Sequence, residues 1–298
     1  MPVHNISAAE LFSQAAAEAL SAIKKNRPAA LHLEDEPIHQ MRVATRRVRA
    51  ALDTYSSLFD EDWADELGTE LRWLAHTLGA ARDLDVLRAR LRDSAKAKDR
   101  ISLRPLQRIL AQHHRDAQSA MIGDLRSERY HMLIERLNAA ALSPQVTVEA
   151  EKPTLEVMLP LLLKAWKKVR RAGGMLDSNS DSTKYHKVRK MGKRIRYSTE
   201  PLAELLMDAD RDNANGFVKK LKKLQDILGE LQDAVVAKQW VESIIELEGR
   251  RGKEFKAAAK RLMQTQLKAV KKAIKKYPRA WDKAILKKKW KWMTSTST

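Results

Sequence analysis

The chain contains its own near-copy, and this repeat restricts its fold more than any other feature of the sequence. The segment Ile38-His39-Gln40-Met41-Arg42, continued by Arg46-Arg47-Val48-Arg49, returns 147 positions later as Tyr185-His186-Lys187-Val188-Arg189, continued by Lys193-Arg194-Ile195-Arg196. A second block, residues 74–83 with Leu78-Gly79 and Asp83, returns 150 positions later as residues 224–233 with Leu228-Gly229 and Asp233. Ser7 and Thr154, two candidate helix N-caps, keep the first offset. Self-similarity at so long a period points to two copies of one supersecondary unit packed with approximate two-fold symmetry. Two helical bundles facing each other are therefore expected.

Each copy reads as helix. Gly (10) and Pro (9) are scarce in 298 residues, while the residues that lose least on entering a helix are abundant. Apolar spacing of three and four, with caps and breakers, predicts a first helix from about Ser7 to Asn26, opened by a Ser7/Glu10 capping box and followed by Pro28. Further starts are expected near Pro37, Asp62, Arg82, Leu103 and Glu128, then near Thr154, Ser182, Asp212, Leu231 and Arg251. Gly173-Gly174 reads as a helix C-cap. The fold class is all-α, one domain over residues 1–298. Repeat 1 spans residues 5–142, repeat 2 spans 153–276, and a basic, Trp-containing tail covers 277–298.

Fifty-seven Lys and Arg against 38 Asp and Glu give a formal net charge of +19. Such a surplus repels itself in a compact fold and calls for an anionic partner. All of it lies in the second half: residues 1–150 carry 21 basic and 21 acidic side chains, residues 151–298 carry 36 and 17. The absence of cysteine excludes disulfides and thiolate chemistry and suits a reducing compartment. Residues 1–20 lack the pattern of a secretion signal, and the most apolar stretch, 155–166, is too short to cross a bilayer and is broken by Glu156, Pro160 and Lys164. A cytoplasmic protein without a membrane partner is expected.

The repeated segment carries the chemistry. With about 100° between successive helical residues, His39, Arg42, Arg46 and Arg49 fall on one stripe, and Met41, Ala44, Val48, Ala51 and Leu52 form a nearly opposite apolar face. In the second copy the stripe is His186, Arg189, Lys193 and Arg196, flanked by Lys190, over Val188, Met191 and Ile195. Arg47 and Arg194 widen each basic edge. A solvated face normally mixes signs, yet residues 37–50 contain no acid. Like charges on successive turns destabilise a helix unless a ligand supplies the counter-charge. Arg72 and Arg82, then Lys219, Lys220 and Lys223, add donors on the following helices, Lys219 and Lys223 sharing a face. Asp83 and Asp233 are expected near helix starts, either stabilising an N-terminus or holding a basic partner. A metal is disfavoured at His39 and His186 because Arg42 and Arg189 follow one turn on, whereas phosphate oxygens accept from imidazole and guanidinium alike.

The repeated His-x-x-Arg-x-x-x-[Arg/Lys]-Arg-[Val/Ile]-Arg and Leu-Gly-x-x-[Arg/Gln]-Asp blocks closely resemble those of the CHAD family, the conserved histidine α-helical domain, over roughly Ala8 to Lys276. The resemblance implies two four-helix bundles related by pseudo-two-fold symmetry, with a basic cleft or pore between them that binds inorganic polyphosphate, in proteins associated with polyphosphate granules. It carries that role to His39, Arg42, Arg46, Arg47 and Arg49, and to His186, Arg189, Lys190, Lys193, Arg194 and Arg196. The pattern of the triphosphate tunnel domain that some members carry does not occur here, so the stand-alone form is expected. Two departures are a charge-neutral first half and Pro201, which should kink or restart the helix after Arg196.

No metalloprotease motif, adjacent His-Asp pair or phosphate-cradling glycine loop is present, so a non-catalytic binder with no cofactor and no metal is expected. The alternative is a nucleic-acid binder. Aromatics at 5% are few for a base-stacking platform, and only Trp281, Trp290 and Trp292 in the Lys-rich end favour it.

Overall fold

A computed structural model describes residues 6–247 and 252–294. Residue 5 of the first repeat, Arg251 at the expected start of the last helix, and 295–298 of the tail lie outside the described residues. The fold is all-α. Nine helices follow one another among the described residues: α1 (Ala8–Leu31), α2 (Asp35–Thr54), α3 (Glu61–Ser94), α4 (Arg104–Arg126), α5 (Glu128–Leu142), α6 (Thr154–Gly174), α7 (Ser182–Leu205), α8 (Asp208–Leu247) and α9 (Lys253–Ile285).

Local signals set most of the ends. At α1, Ser7 Oγ accepts from Glu10 N at 3.1 Å and the Glu10 carboxylate accepts from Ser7 N at 2.7 Å, the expected capping box. Thr154 proves to be the first residue of α6 rather than its cap. Its hydroxyl and amide both donate to Ile6 O, at 2.7 and 3.0 Å, which ties the starts of α1 and α6 together.

Elsewhere tertiary packing overrides the breakers. α1 does not end at Asn26 but runs through Pro28 to Leu31, where buried Ala30 packs and Arg27 Nε donates to Leu125 O at 3.0 Å. α7 likewise continues through Pro201, since Leu202, Ala203 and Leu205 are buried beyond it. No helix starts at Arg82 or Leu231. α3 and α8 run unbroken past both, because neither sequence offers a proline or a loop-forming cluster there.

The first-half helices pack as α1 on α2 and α5, α2 on α3, and α3 on α4; the second-half helices pack as α6 on α7, α7 on α8, and α8 on α9. The halves meet where α2 lies on α7 and α3 on α8. At the first junction Tyr55 OH donates to Ser198 O at 3.0 Å and Ser198 Oγ donates to Ala50 O at 3.1 Å, all buried. One large core, built on residues such as Phe12, Met41, Leu71, Leu162, Trp166 and Phe217, runs through both halves. A smaller one joins Leu87, Leu91 and Leu106 to Val241, Ile244 and Leu262. Ion pairs from Arg90 to Glu230 at 3.1 Å and from Arg261 to Asp99 flank that junction.

The tryptophans of the tail belong to the core. Trp281 and Trp292 are buried around Trp166 and Phe217, and Trp290, with its Nε1 donating to Ile285 O at 2.9 Å, lies under the Arg170 guanidinium. None is available to stack on a base. Trp281 also explains Gly173. A Cβ there would overlap the indole, and Tyr277 OH donates to the same residue's carbonyl at 2.9 Å. Neither glycine of the pair adopts the left-handed conformation of a C-cap, although α6 does end at Gly174. Gly173→Ala is expected to cost about 1–3 kcal/mol through overpacking. Gly174→Ala, with open space around its Cβ, should stay within about 0.5 kcal/mol of the parent. Urea denaturation of the two variants checks the contrast.

Candidate polyanion-binding cleft

α2 and α7 bury their apolar faces, Met41, Ala44 and Val48 on one and Val188 and Ile195 on the other. Their basic edges are thereby brought to a common side. There a cleft of about 560 Å³ opens between them, lined by Arg46 and Arg49 from α2, Arg72 from α3, and Thr183, His186, Lys187, Lys190, Lys193 and Arg194 from α7. Among the described residues Asp53 is its lone carboxylate and Tyr197 its lone aromatic ring apart from His186. Seven of the predicted residues meet here: Arg46, Arg49, Arg72, His186, Lys190, Lys193 and Arg194. Thr183 and Lys187 were missed. Lys187 was legible, because Lys187, Lys190 and Arg194 form a stripe at i, i+3 and i+7 on the edge of the one chosen.

Three cations of the stripes form a deeper tier. Arg42 is buried, its Nη1 donating to Leu78 O and Gly79 O at 3.2 and 3.1 Å and its Nη2 to Asp83 Oδ1 at 3.3 Å. The repeated Leu-Gly-x-x-x-Asp block is thus the seat of the repeated arginine. Gly79 lets the guanidinium lie against α3, 3.5 Å from where a Cβ would stand, and Asp83 one turn on supplies the counter-charge. Asp83 and Asp233 lie inside long helices, not at helix starts, so neither caps a helix; Asp83 holds Arg42, while Asp233 lies in the field of Arg189 without a hydrogen bond to it.

The second seat is looser. The Arg189 guanidinium lies over Gly229, 3.6 Å from where a Cβ would stand, but its Nε is buried with no hydrogen-bond partner. Burial pushes the Asp233 carboxyl up, and Arg189 opposes that. Arg196 donates to Gln225 Oε1 at 3.1 Å and Glu200 Oε1 at 3.0 Å and lies over the Tyr197 ring. The expectation of stripes unpaired by acids therefore fails at Arg42 and Arg196. Arg42 is buried and Arg196 half-buried, and the acid comes from another helix for the first and from the next turn for the second.

Arg42→Ala should accordingly lower stability by about 1–2 kcal/mol in urea denaturation, through lost hydrogen bonds and packing. Arg46→Ala, whose side chain makes no hydrogen bond among the described residues, should stay within about 0.5 kcal/mol.

Electrostatics in the cleft are strained in one direction. Burial, then Arg189, Arg46, Arg196 and Arg42, push the Lys193 ammonium down to about 7. Burial also lowers His186, opposed by a hydrogen bond with Gln232 and reinforced by Lys190, Arg189 and Lys193, and its Nδ1 is buried without a partner. Burial lowers the Arg49 guanidinium, with Asp53 opposing and Arg72 and Arg46 assisting. Each shift marks positive charge held close together and partly out of water, which a bound polyanion would relieve.

The remaining predicted residues lie elsewhere. His39 and Arg82 line a small hollow with Asp35 and Asp85. Arg47 and Lys219 are exposed and line no part of the cleft. Lys220 and Lys223 line a separate groove against α9. Among the described residues no group of three or more His, Cys, Asp and Glu could hold a metal, and no helix is long and apolar enough to cross a membrane.

Uncharacterized proteins from two strains of Mycobacterium tuberculosis, CDC 1551 / Oshkosh and H37Rv, are each 29% identical over 212 residues, covering 68% of this chain. The match spans 39% of the length of those relatives. PptA from Streptomyces chartreusis superposes with a TM-score of 0.77 at 20% identity, over 93% of this chain and 99% of that one. The crystal structure of the CHAD domain from the plant Ricinus communis superposes with a TM-score of 0.73 at 23% identity, over 93% of each chain. Both likenesses are of fold. The CHAD domain profile matches residues 14–242, which include both His-Arg helices and both Leu-Gly-x-x-x-Asp seats, and the chain belongs to the CHAD family.

Proposed function

We propose that this protein binds inorganic polyphosphate, without catalysing its turnover, in the cleft between α2 and α7. The observation that carries the reading is the ratio of charges: among the described residues, seven Lys and Arg side chains drawn from both copies of the repeat line one cleft against the single carboxylate of Asp53. One phosphate group engages only a few donors. Seven call for an extended ligand with an anion at every unit, and CHAD is a family associated with polyphosphate binding. Hydrogen bonds to charged groups contribute about 1.5–3 kcal/mol each when well formed, so a handful supports affinity of about micromolar or better. Nucleic acid fits less well, since a single-strand groove relies on aromatic stacking and the cleft offers only Tyr197, itself buried. Hydrolysis would need a metal cluster or an activated nucleophile, and neither is assembled around Asp53 and Thr183.

Calorimetric titration with long-chain polyphosphate tests the reading. Saturable binding that weakens steeply with salt is expected, together with no release of orthophosphate. Displacement of polyphosphate by single- or double-stranded DNA at equal phosphate concentration would refute the preference for the inorganic chain. Placement at polyphosphate granules is part of the proposal. A fluorescent fusion should form foci that disappear when cellular polyphosphate is removed.

A further inference from the structure

On the side of α8 opposite Gln225 and Gly229, which face α7, a second groove of about 530 Å³ runs between α8 and α9. α8 supplies Lys220 and Lys223; α9 supplies Lys272, Lys276, Arg279 and Lys283, a stripe at i, i+4, i+7 and i+11. Lys275 lines it beside that stripe; among the described residues no carboxylate lines this groove, and none of its seven basic side chains has an ion-pair partner. The opposite face of α9, with Ala273, Tyr277, Trp281 and Ala284, is buried in the core. Packing therefore fixes α9 while its cationic stripe goes uncompensated, the arrangement that costs helix stability until an anion arrives.

Ala50 and Met191 line the α2/α7 cleft among Asp53, Thr183, His186 and Tyr197, whereas among the described residues Ile227 and Ala280 are all that lines this groove besides Lys and Arg. Ile227 and Ala280 lie between the two charged rows, where the aliphatic stems of the lysines extend the apolar surface and their ammonium groups reach the rim. A bare polyanion would use the rim and leave this floor wet. A ligand that is acidic along its edges and apolar along its spine satisfies both, and a helix laid between two helices presents such a spine at i, i+3, i+4 and i+7. The α9 wall also lies beyond residues 14–242, the extent of the family match. We infer that the α8/α9 groove docks an acidic amphipathic helical segment of a partner protein, independently of the cleft.

Fluorescence anisotropy on the full chain tests this with a labelled synthetic peptide that carries leucines at helical i, i+3, i+4 and i+7 positions and glutamates elsewhere. Lys223→Glu with Lys276→Glu, both exposed, should weaken the peptide at least about tenfold with unchanged helicity by circular dichroism, while Arg46→Glu in the cleft leaves it within about twofold. Replacing the leucines of the peptide by serine should also cost at least about tenfold. Equal binding of the leucine-free peptide would overturn the inference and make the groove a general polyanion surface. So would absence of peptide binding at about millimolar concentration, or charge reversal that abolishes binding to phosphatidylserine vesicles but not to the peptide.

Discussion

Arg46→Glu combined with Lys190→Glu should weaken long-chain polyphosphate by roughly a thousandfold at low ionic strength. One residue comes from α2 and the other from α7, so the pair tests whether both walls hold the same ligand. Each reversal removes a charge-assisted contact worth about 1.5–3 kcal/mol, less where water screens it, and sets a carboxylate against the polymer. Among the described residues neither forms an ion pair, so their replacement breaks no salt bridge there. Relief of repulsion with Arg49 and Lys193 should leave the double variant at least as stable in urea as the parent. The salt dependence of binding should become shallower too, since fewer counterions are displaced when fewer phosphates are neutralised. An affinity unchanged by the double reversal would remove the cleft from the mechanism, and a loss of helicity would show these side chains to be structural.

How far the sequence could be read depends on whether a signal is local or lies between helices. The helix content, the Ser7/Glu10 cap and most of the apolar faces of α2 and α7 follow from spacing alone and appear in the structure, although Ala51 and Met191 are only half-buried and Met191 lines the cleft. The prolines misled because a local rule competes with packing. Pro28 and Pro201 each remove one backbone donor, but the buried residues beyond them hold α1 and α7 together. The seats for Arg42 and Arg189 could be noticed as a repeat but not interpreted. Gly79 and Asp83 are 37 and 41 residues from Arg42, and only the packing of α2 on α3 shows what the glycine admits and the carboxylate neutralises. The same limit applies to the donors. Helical phase put His39 and His186 on equivalent stripes, yet His186 lines the cleft while His39 lines another hollow with Arg82 and Asp85, a difference set between helices and not along one. Lys220 and Lys223 were legible as cations, but not the helix they would face.

Affinity for polyphosphate should fall as pH rises above about 7, by up to about tenfold per pH unit, and Lys193 is the reason. Its ammonium titrates at about 7 in the free protein, because burial and the guanidinium groups of Arg189, Arg46, Arg196 and Arg42 all disfavour the charge. A phosphate chain in the cleft reverses the sign of that field and draws the ammonium back toward its ordinary range. Binding above pH 7 therefore takes up a proton, and each rise in pH makes that proton harder to supply. His186 acts in the same direction at lower pH: burial holds its imidazole neutral below the usual range, so acidification adds a further donor for the ligand. Lys193→Arg, which cannot lose its charge under these conditions, should flatten the profile above pH 7 while keeping the affinity seen at lower pH. The free protein should show the opposite trend. With its folded-state value depressed, Lys193 binds fewer protons than it does in the unfolded chain between about pH 7 and the ordinary lysine value. Stability contributed by this residue thus rises with pH across that window, and its penalty is fully present below it. Lys193→Met should raise stability in urea most near pH 6 and remove this rise. Stability and affinity that move together with pH in the parent would show that Lys193 is already paired within the fold and does not wait for a phosphate.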